Sequence, residues 1–562
     1  MPPDDRPWLR SYDEGVEADL PIPDSTYVEM LEESFSDFAS RAAVHLMGTS
    51  LTFHELDLHS RRFAGFLTAI GCGRGDIVGI NLPNIPQYLI ALAGTLRAGC
   101  VATGVSPLLT PREMAYQLND CGARVLVPLD AVFEPKIRPL QERVPALDTI
   151  VATGYADLLG SFDGDLPGLV ESMPAEKVSP LPGKTVLSFL ELLDRYPAEI
   201  PRIEAKPGDT CLVQYTGGTT GMPKGAELSH ANIVANIVHR DQWNGNGRGS
   251  ETNITGYPLF HVAGVSYGMG AMCTGNAQIL IPDARDIAHF CREFERHTPT
   301  LMTNVPSLYQ MLLDEPMFTQ LEFSQLRVCI SGAAPIPPET FRELEALVGV
   351  GKVVEVYGMT EASPLLAMNP LQGKKKIGSV GIPIQNTRLK LVDLDTGSRE
   401  VPLGEEGEVI ARGPQVMKGY YNNPAETAHA LRDLQGEKWF YTGDVAKMDE
   451  DGYLTIVDRT KDMINVSGYK VFSKEVETTL YENPSVEFCA VVGTPDPARP
   501  GSEIVKALIQ LNVDRDDESE IEKEIMSHCR ESMAPYKRPR IIEFVDELPL
   551  TSVGKVDKKA LR

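Results

Sequence analysis

Residues Tyr215 to Gly225, Tyr-Thr-Gly-Gly-Thr-Thr-Gly-Met-Pro-Lys-Gly, constrain this chain more than any other stretch. The apolar run Cys211–Tyr215 before them reads as a buried strand feeding a loop. Gly217, Gly218 and Gly221 let the backbone approach a ligand closely and adopt positive φ. Their N–H groups, with the hydroxyls of Thr216, Thr219 and Thr220, form a concave cradle suited to phosphate oxygens. Lys224 adds a mobile positive charge at its end. A solvent-exposed turn has similar composition, but this density of glycines, hydroxyls and lysine favours a nucleotide phosphate. The Gly-Lys-Ser/Thr loop of kinase-type and GTPase-type folds is a different pattern, because here Pro223 precedes the lysine and Gly225 follows it.

Strands alternate with helices on the N-terminal side, which predicts βαβ units and a parallel sheet. Strands are expected at 77–82, 100–105 and 124–129, and helices at 85–96 and 112–119. Residues 26–71 read as two helices, the second opened by a capping box at Thr52-Phe-His-Glu55 and stopped at Gly71. Residues 130–205, punctuated by Pro, Gly and Asp, yield no architecture. Ser229 reads as the N-cap of a helix, which makes His230 a helix-start residue. Gly264, Gly268 and Gly270 recur at near-helical spacing and read equally as a groove or as helix packing. Arg327–Pro335 and Val353–Glu361 each read as a strand running into a turn, and ligands of open α/β sheets collect at the carboxyl ends of strands. Lys374–Lys376 reads as a solvated basic loop.

From Thr387 onward β-like segments predict a small β subdomain at about 385–458, including a hairpin with Asp451-Gly452 at its turn. The acidic cluster 449–451 is thereby turn chemistry and not a catalytic carboxylate pair. Asp458-Arg-Thr-Lys-Asp462 is a charged break. The expected class is α/β: a large domain over 1–458 with βαβ parallel-type sheets and the β subdomain, a hinge at 459–462, and a small mobile α+β domain at 463–562.

A net charge of −25 disfavours nucleic acid as a partner, and disfavours an anionic membrane surface. Nine cysteines stand singly, with neither zinc-ligand nor disulfide spacing, and fit a reducing, cytoplasmic setting. The acidic start lacks the apolar core of a signal peptide. The longest apolar stretch, around Tyr88–Leu96, is about half of what a membrane span needs, so no transmembrane segment is expected.

Tyr215–Gly225 resembles the phosphate loop of the adenylate-forming superfamily: acyl-CoA synthetases, aryl-CoA ligases, luciferases and amino-acid-adenylating modules. Further motifs resemble that family in the same order: Gly332–Pro335, Tyr357–Glu361, 441–444 with 458–470, and Pro549-x-Thr-x-x-Gly-Lys555. The resemblance runs from about residue 30 to the end. The Pro7-Trp-Leu opening and the length are most similar to fatty-acyl-CoA synthetases.

The resemblance implies roles residue by residue. Gly332, Ala333, Ala334, Glu355, Val356, Tyr357 and Gly358 surround the adenine, with Tyr357 stacked on it. Asp444 and Arg459 hold the ribose hydroxyls. Thr360 and Glu361 hold Mg²⁺ on the phosphates, Lys224 serves the phosphate loop, and Lys555 bridges carboxylate and α-phosphate. Phe260 and His261 match the lining of the carboxylate pocket. Lys461 occupies the hinge position, Gly468 lines the pantetheine tunnel, and Lys470 joins the cofactor-binding set. The implied partners are ATP (leaving as AMP), Mg²⁺, coenzyme A and a carboxylic acid, with a homodimer allowed. The implied reaction is adenylation of a medium- or long-chain fatty acid, or of a cyclic or aromatic acid, followed by transfer to CoA. Because CoA brings the thiol, no enzyme cysteine is needed. An acceptor other than CoA, or an AMP-sensing binding protein without catalysis, are the alternatives.

Overall fold

The computed structural model describes residues 6–159, 178–199, 203–216, 222–466, 469–497, 499, 502–512, 518–550, 556–558 and 560–561. The chain packs into two compact units, one built from the described residues of 1–216, 223–388 and 412–431, the other from those of 217–222, 389–411 and 432–562.

The first unit holds two large sheets. One has nine strands, and parallel pairing dominates its interior: Thr252–Thr255, Ala277–Leu280, Leu301–Asn304, Val328–Ser331 and Val353–Gly358 are consecutive parallel partners or neighbours in it. The other has eight, with Ile77–Asn81 between Val101–Gly104 and Val125–Pro128, and with Thr210–Thr216 and Lys224–Ser229 toward one edge. The expected βαβ pattern is thus present, with helices at Pro86–Arg97 and Pro111–Cys121. All twelve residues of Pro86–Arg97 are buried, so the longest apolar stretch is a core helix. Among the described residues no helix is long and apolar enough to cross a membrane.

Local signals placed many boundaries. Thr52 and Glu55 form the expected capping box, and Ser229 caps the helix His230–Asn244. The stretch 26–71 differs from the expected pair of helices. Between Tyr27–Asp37 and Phe53–Ala69 lies a β-hairpin, Ala42–Leu46 with Thr49–Thr52. Met47 and Gly48, with φ of 48° and 78°, make a tight turn of positive φ. The hairpin joins the nine-stranded sheet through Ala277–Leu280, a parallel partner far along the chain that local periodicity cannot reveal. The stretch left without architecture contains strands at Thr149–Ala152 and Thr185–Ser188 and a helix at Phe189–Arg195.

The second unit contains a five-stranded sheet, Arg388–Val392, Glu406–Arg412, Glu437–Met448, Leu431–Leu434 and Leu454–Arg459. Its expected hairpin is there, and the Asp449 carboxylate accepts from the backbone N–H groups of Asp451 and Tyr453 at 2.9 and 3.0 Å, so the acidic cluster shapes the turn. The C-terminal part is α+β. Strands Val486–Pro495, Glu503–Leu511 and Ile541–Phe544 share a core with helices Ser473–Tyr481 and Glu518–Ser532 through Val476, Leu480, Val491, Ile509, Ile525 and Cys529.

Candidate functional site

In the first unit two neighbouring parallel strands, Val328–Ser331 and Val353–Gly358, end side by side, with Ser331 opposite Glu355. Beyond the first comes Gly332-Ala-Ala334. Ala333 has φ of 69°, a left-handed conformation that costs an alanine roughly 1–2 kcal/mol and that surrounding structure must impose. Buried Glu355 helps: one carboxylate oxygen accepts from the Ile336 N–H at 3.3 Å, tying the turn to the next strand. Val356 is half-buried within that strand, Tyr357 is buried near its end, and Gly358 closes it. Thr360 to Ala362 then form one tight helical turn.

A third element meets these ends. Gly419–Tyr420 pairs antiparallel with the strand Lys224–Ser229, with Tyr420 opposite Ala226. The Tyr420 hydroxyl donates to a Glu361 carboxylate oxygen at 2.7 Å, and the Met417 N–H donates to the Glu361 carbonyl at 2.8 Å. On the same tyrosine, the Lys224 ammonium lies 4.9 Å from the ring centroid, and it ion-pairs with Glu426. Burial first, and the Glu361 carboxylate second, push the Tyr420 phenol well above its ordinary range, so it stays a donor. Lys224 and Glu361, far apart in sequence, are thus gathered around one ring. Neither Tyr420 nor Glu426 was singled out in the sequence; Gly419-Tyr-Tyr421 before a proline-started helix was the available signal.

Thr216 pairs with Lys224 in the hairpin register, so the two residues flank the loop. Gly217, Gly218, Thr219, Thr220 and Gly221 lie outside the described residues, as do Gly468 and Lys555.

His261 caps the helix Val262–Thr274, its Nδ1 accepting from the Ala263 N–H at 3.3 Å. Gln214, on the strand that feeds the loop, donates to the Phe260 carbonyl at 2.7 Å and fixes that turn against the strand. The glycines that follow are packing positions. A Cβ at Gly264 would collide with the Pro258 carbonyl, and one at Gly268 would stand 3.1 Å from Leu259 and Leu89 side chains. At Gly270 it would collide with the Arg240 guanidinium. Of the two readings that the spacing left open, close packing is the one these three positions show.

In the second unit Asp444 and Arg459 face each other across the hairpin, and the Arg459 Nε donates to a carboxylate oxygen of Asp444 at 3.1 Å. Lys461 sits in the turn after Arg459, and Lys470 donates to Asp395 at 2.7 Å.

Glu361 and the hydroxyl of Thr360 are hard oxygen donors. Among the described residues no group of three or more His, Cys, Asp or Glu could hold a metal by itself. Mg²⁺ bound to substrate phosphates needs only one or two carboxylates, so the pair fits that ion. All nine cysteines are buried thiols, and burial pushes Cys72 and Cys291 up to about 11.

The chain is similar to known proteins along its whole length. The family model described as AMP-binding enzyme matches residues 31–421, and that of the AMP-binding enzyme C-terminal domain matches 475–555. A long-chain-fatty-acid–CoA ligase of Bacillus subtilis (strain 168) is 36% identical over 563 residues, 99% of this chain and 97% of that protein. A feruloyl-CoA synthase of Amycolatopsis sp is 34% identical over 526 residues, 92% of this chain and 95% of that protein. The crystal structure of the anthranilate CoA ligase AuaEII in complex with anthranoyl-AMP has a TM-score of 0.82 and 30% identity, covering 97% of each chain.

Proposed function

The chain belongs to the family of AMP-binding enzymes, and from that premise we propose how its residues divide the work of an AMP-forming acid–thiol ligase. The reaction has two halves. A carboxylate oxygen attacks the α-phosphorus of ATP, and the bond to pyrophosphate breaks. The CoA sulfur then attacks the acyl carbon, AMP leaves, and the thiol proton passes to solvent. A free carboxylate is a poor acyl donor, and the mixed anhydride removes that obstacle.

Both reactants of the first half are anions, so positioning and positive charge supply most of the acceleration. The observation that carries this reading is the cluster around Tyr420, which sets Lys224, the first residue of the strand that follows the loop in sequence, and Glu361 on one ring. Lys224 exchanges Glu426 for phosphate oxygens when ATP arrives. Glu361 and Thr360 hold Mg²⁺, which neutralises phosphate charge when bound. The turn at Gly332–Ala334 and the strand end at Tyr357 and Gly358 take the adenine. Asp444, oriented by Arg459, takes the ribose. His261, whose Nδ1 accepts from the Ala263 N–H, donates from Nε2 to the acid's carboxylate, Lys555 bridges carboxylate and α-phosphate, and Gly468 and Lys470 serve the CoA approach.

The acid is an extended one, aliphatic or aryl. Named relatives at 34 to 36% identity act, by their names, on long-chain fatty acids and on ferulic acid. The thiols suit a reducing compartment such as the cytoplasm, and the segment 459–462 is the hinge before the C-terminal domain. Thioester formation, measured over straight-chain acids from short to long and over benzoic and cinnamic acids, tests the substrate class. Extended acids should exceed acetate and propionate by more than about a hundredfold in kcat/KM, some 3 kcal/mol of pocket contacts. Equal use of acetate would remove that reading.

A further inference from the structure

Packed against the helix that His261 caps is a cation that the two half-reactions leave without a task. Arg240, in the helix His230–Asn244, is only 9% exposed. A guanidinium so buried is normally paired with a carboxylate. Among the described residues no carboxylate stands within ion-pair distance of Arg240. Its neighbour Asp241 acts on it only at longer range. What holds the guanidinium is a fitted seat. One Nη donates to the Ser266 carbonyl at 3.0 Å, and the central carbon lies 4.5 Å from the centroid of the Tyr267 ring. The other Nη fills the space that a side chain at Gly270 would need.

That seat lies at the end of a face that is only partly covered. In the helix Val262–Thr274 every residue is buried except Ala263 and Tyr267, which lie one turn apart and therefore share a face. His261, partly exposed, caps the same helix, and the division of work above assigns it to the acid's carboxylate. Position 270 continues the face, and there the guanidinium stands in place of a side chain. At 1.5 Å per residue, the run from Ala263 to Gly270 spans about 10 Å.

We propose that Arg240 determines specificity by binding an oxygen acceptor at the far end of the acyl group. The preferred acids then carry a hydroxyl or a carboxylate about 10 Å from the carboxylate being activated. An alkyl terminus pressed against this guanidinium would leave its donors without an acceptor, whereas an oxygen gives a charge-assisted hydrogen bond. The inference rests on the ligase reading and names a narrower substrate class within it.

The test compares decanoate, ω-hydroxydecanoate and sebacate as substrates of the full-length enzyme, following pyrophosphate release and thioester. The wild type should favour the two oxygenated acids by about tenfold to a hundredfold in kcat/KM. Arg240→Met should abolish or invert that ratio while leaving the KM for ATP unchanged. Arg240→Lys, which keeps the charge without the planar fork, should retain part of the preference and serves if the methionine variant does not fold. A wild type that prefers decanoate, or shows no preference, overturns the proposal without any variant. So does an oxygen preference that survives in folded Arg240→Met. Absence of pyrophosphate release with every acid would instead bring down the ligase reading beneath it.

Discussion

Tyr420 carries most of the weight at the scale of single residues. Its hydroxyl orients Glu361 and its ring supports Lys224, so one side chain serves the residue we assign to Mg²⁺ and the residue we assign to phosphate. Tyr420→Phe removes the first function and keeps the second. A hydrogen bond to a charged group contributes about 1.5–3 kcal/mol, so kcat/KM for ATP should fall about tenfold or more, with a higher Mg²⁺ requirement and an unchanged melting temperature. Unaltered ATP kinetics would mean that Glu361 needs no such partner. A second residue-scale prediction concerns pH. Burial drives His45, His230 and His239 each down to about 4, below the ordinary 6.5, with His297 beside His45 adding to its shift. The folded state keeps these rings neutral while the unfolded state binds protons from about pH 6.5 downward, so stability must fall as pH drops through that window. The slope should reach roughly 1 kcal/mol per pH unit for each of His230 and His239 between pH 6 and 5, and less for the more exposed His45. Urea midpoints that stay flat from pH 7 to 5 would contradict this.

At the scale of elements, the helix Val262–Thr274 shows how far a sequence pattern carries. Its glycines were visible, and their spacing was correctly suggestive of closeness, but not of what comes close. Gly264 admits the Pro258 carbonyl and Gly270 admits a guanidinium from another helix. Gly264→Ala should therefore destabilise the fold by about 1–3 kcal/mol, read as a lower urea midpoint, with the range of acids accepted left intact among folded molecules. A shifted acid range at full stability would restore the groove. Elements whose boundaries are written in local chemistry were legible: the capping box at Thr52, the N-cap at Ser229, the Asp449 turn, the strands feeding the two turns at Gly332 and Gly358. Those defined by a distant partner were not. The hairpin Ala42–Thr52 exists because Ala277–Leu280 gives it a sheet to join, and the two-residue strand Gly419–Tyr420 exists because Lys224–Ser229 is its edge. The same limit hid Tyr420 and Glu426 from the candidate site, while Asp444 and Arg459, named from motif alone, do meet across a hairpin.

At the scale of the whole molecule, the two half-reactions fall to different residues in the proposed division of work. Lys555 and Gly468 lie 87 residues apart, and one is assigned to adenylation and the other to the CoA approach. Lys555→Ala should slow adenylation by about 10²–10³-fold and still convert supplied acyl-AMP and CoA to thioester. Gly468→Leu should release a single-turnover burst of pyrophosphate and make little thioester, and Lys461→Pro should slow the second half more than the first. Equal damage to both halves by each of the first two variants would leave no ground for a change of pose between them. The most direct measurement of the central claim is product identity in two stages. With ATP, Mg²⁺ and an extended acid but no CoA, the enzyme should form acyl-AMP and pyrophosphate in amounts matching the enzyme present. Addition of CoA should then release AMP and yield the thioester in continued turnover. ADP and orthophosphate as the products, or thioester without any acyl-AMP, would contradict the account.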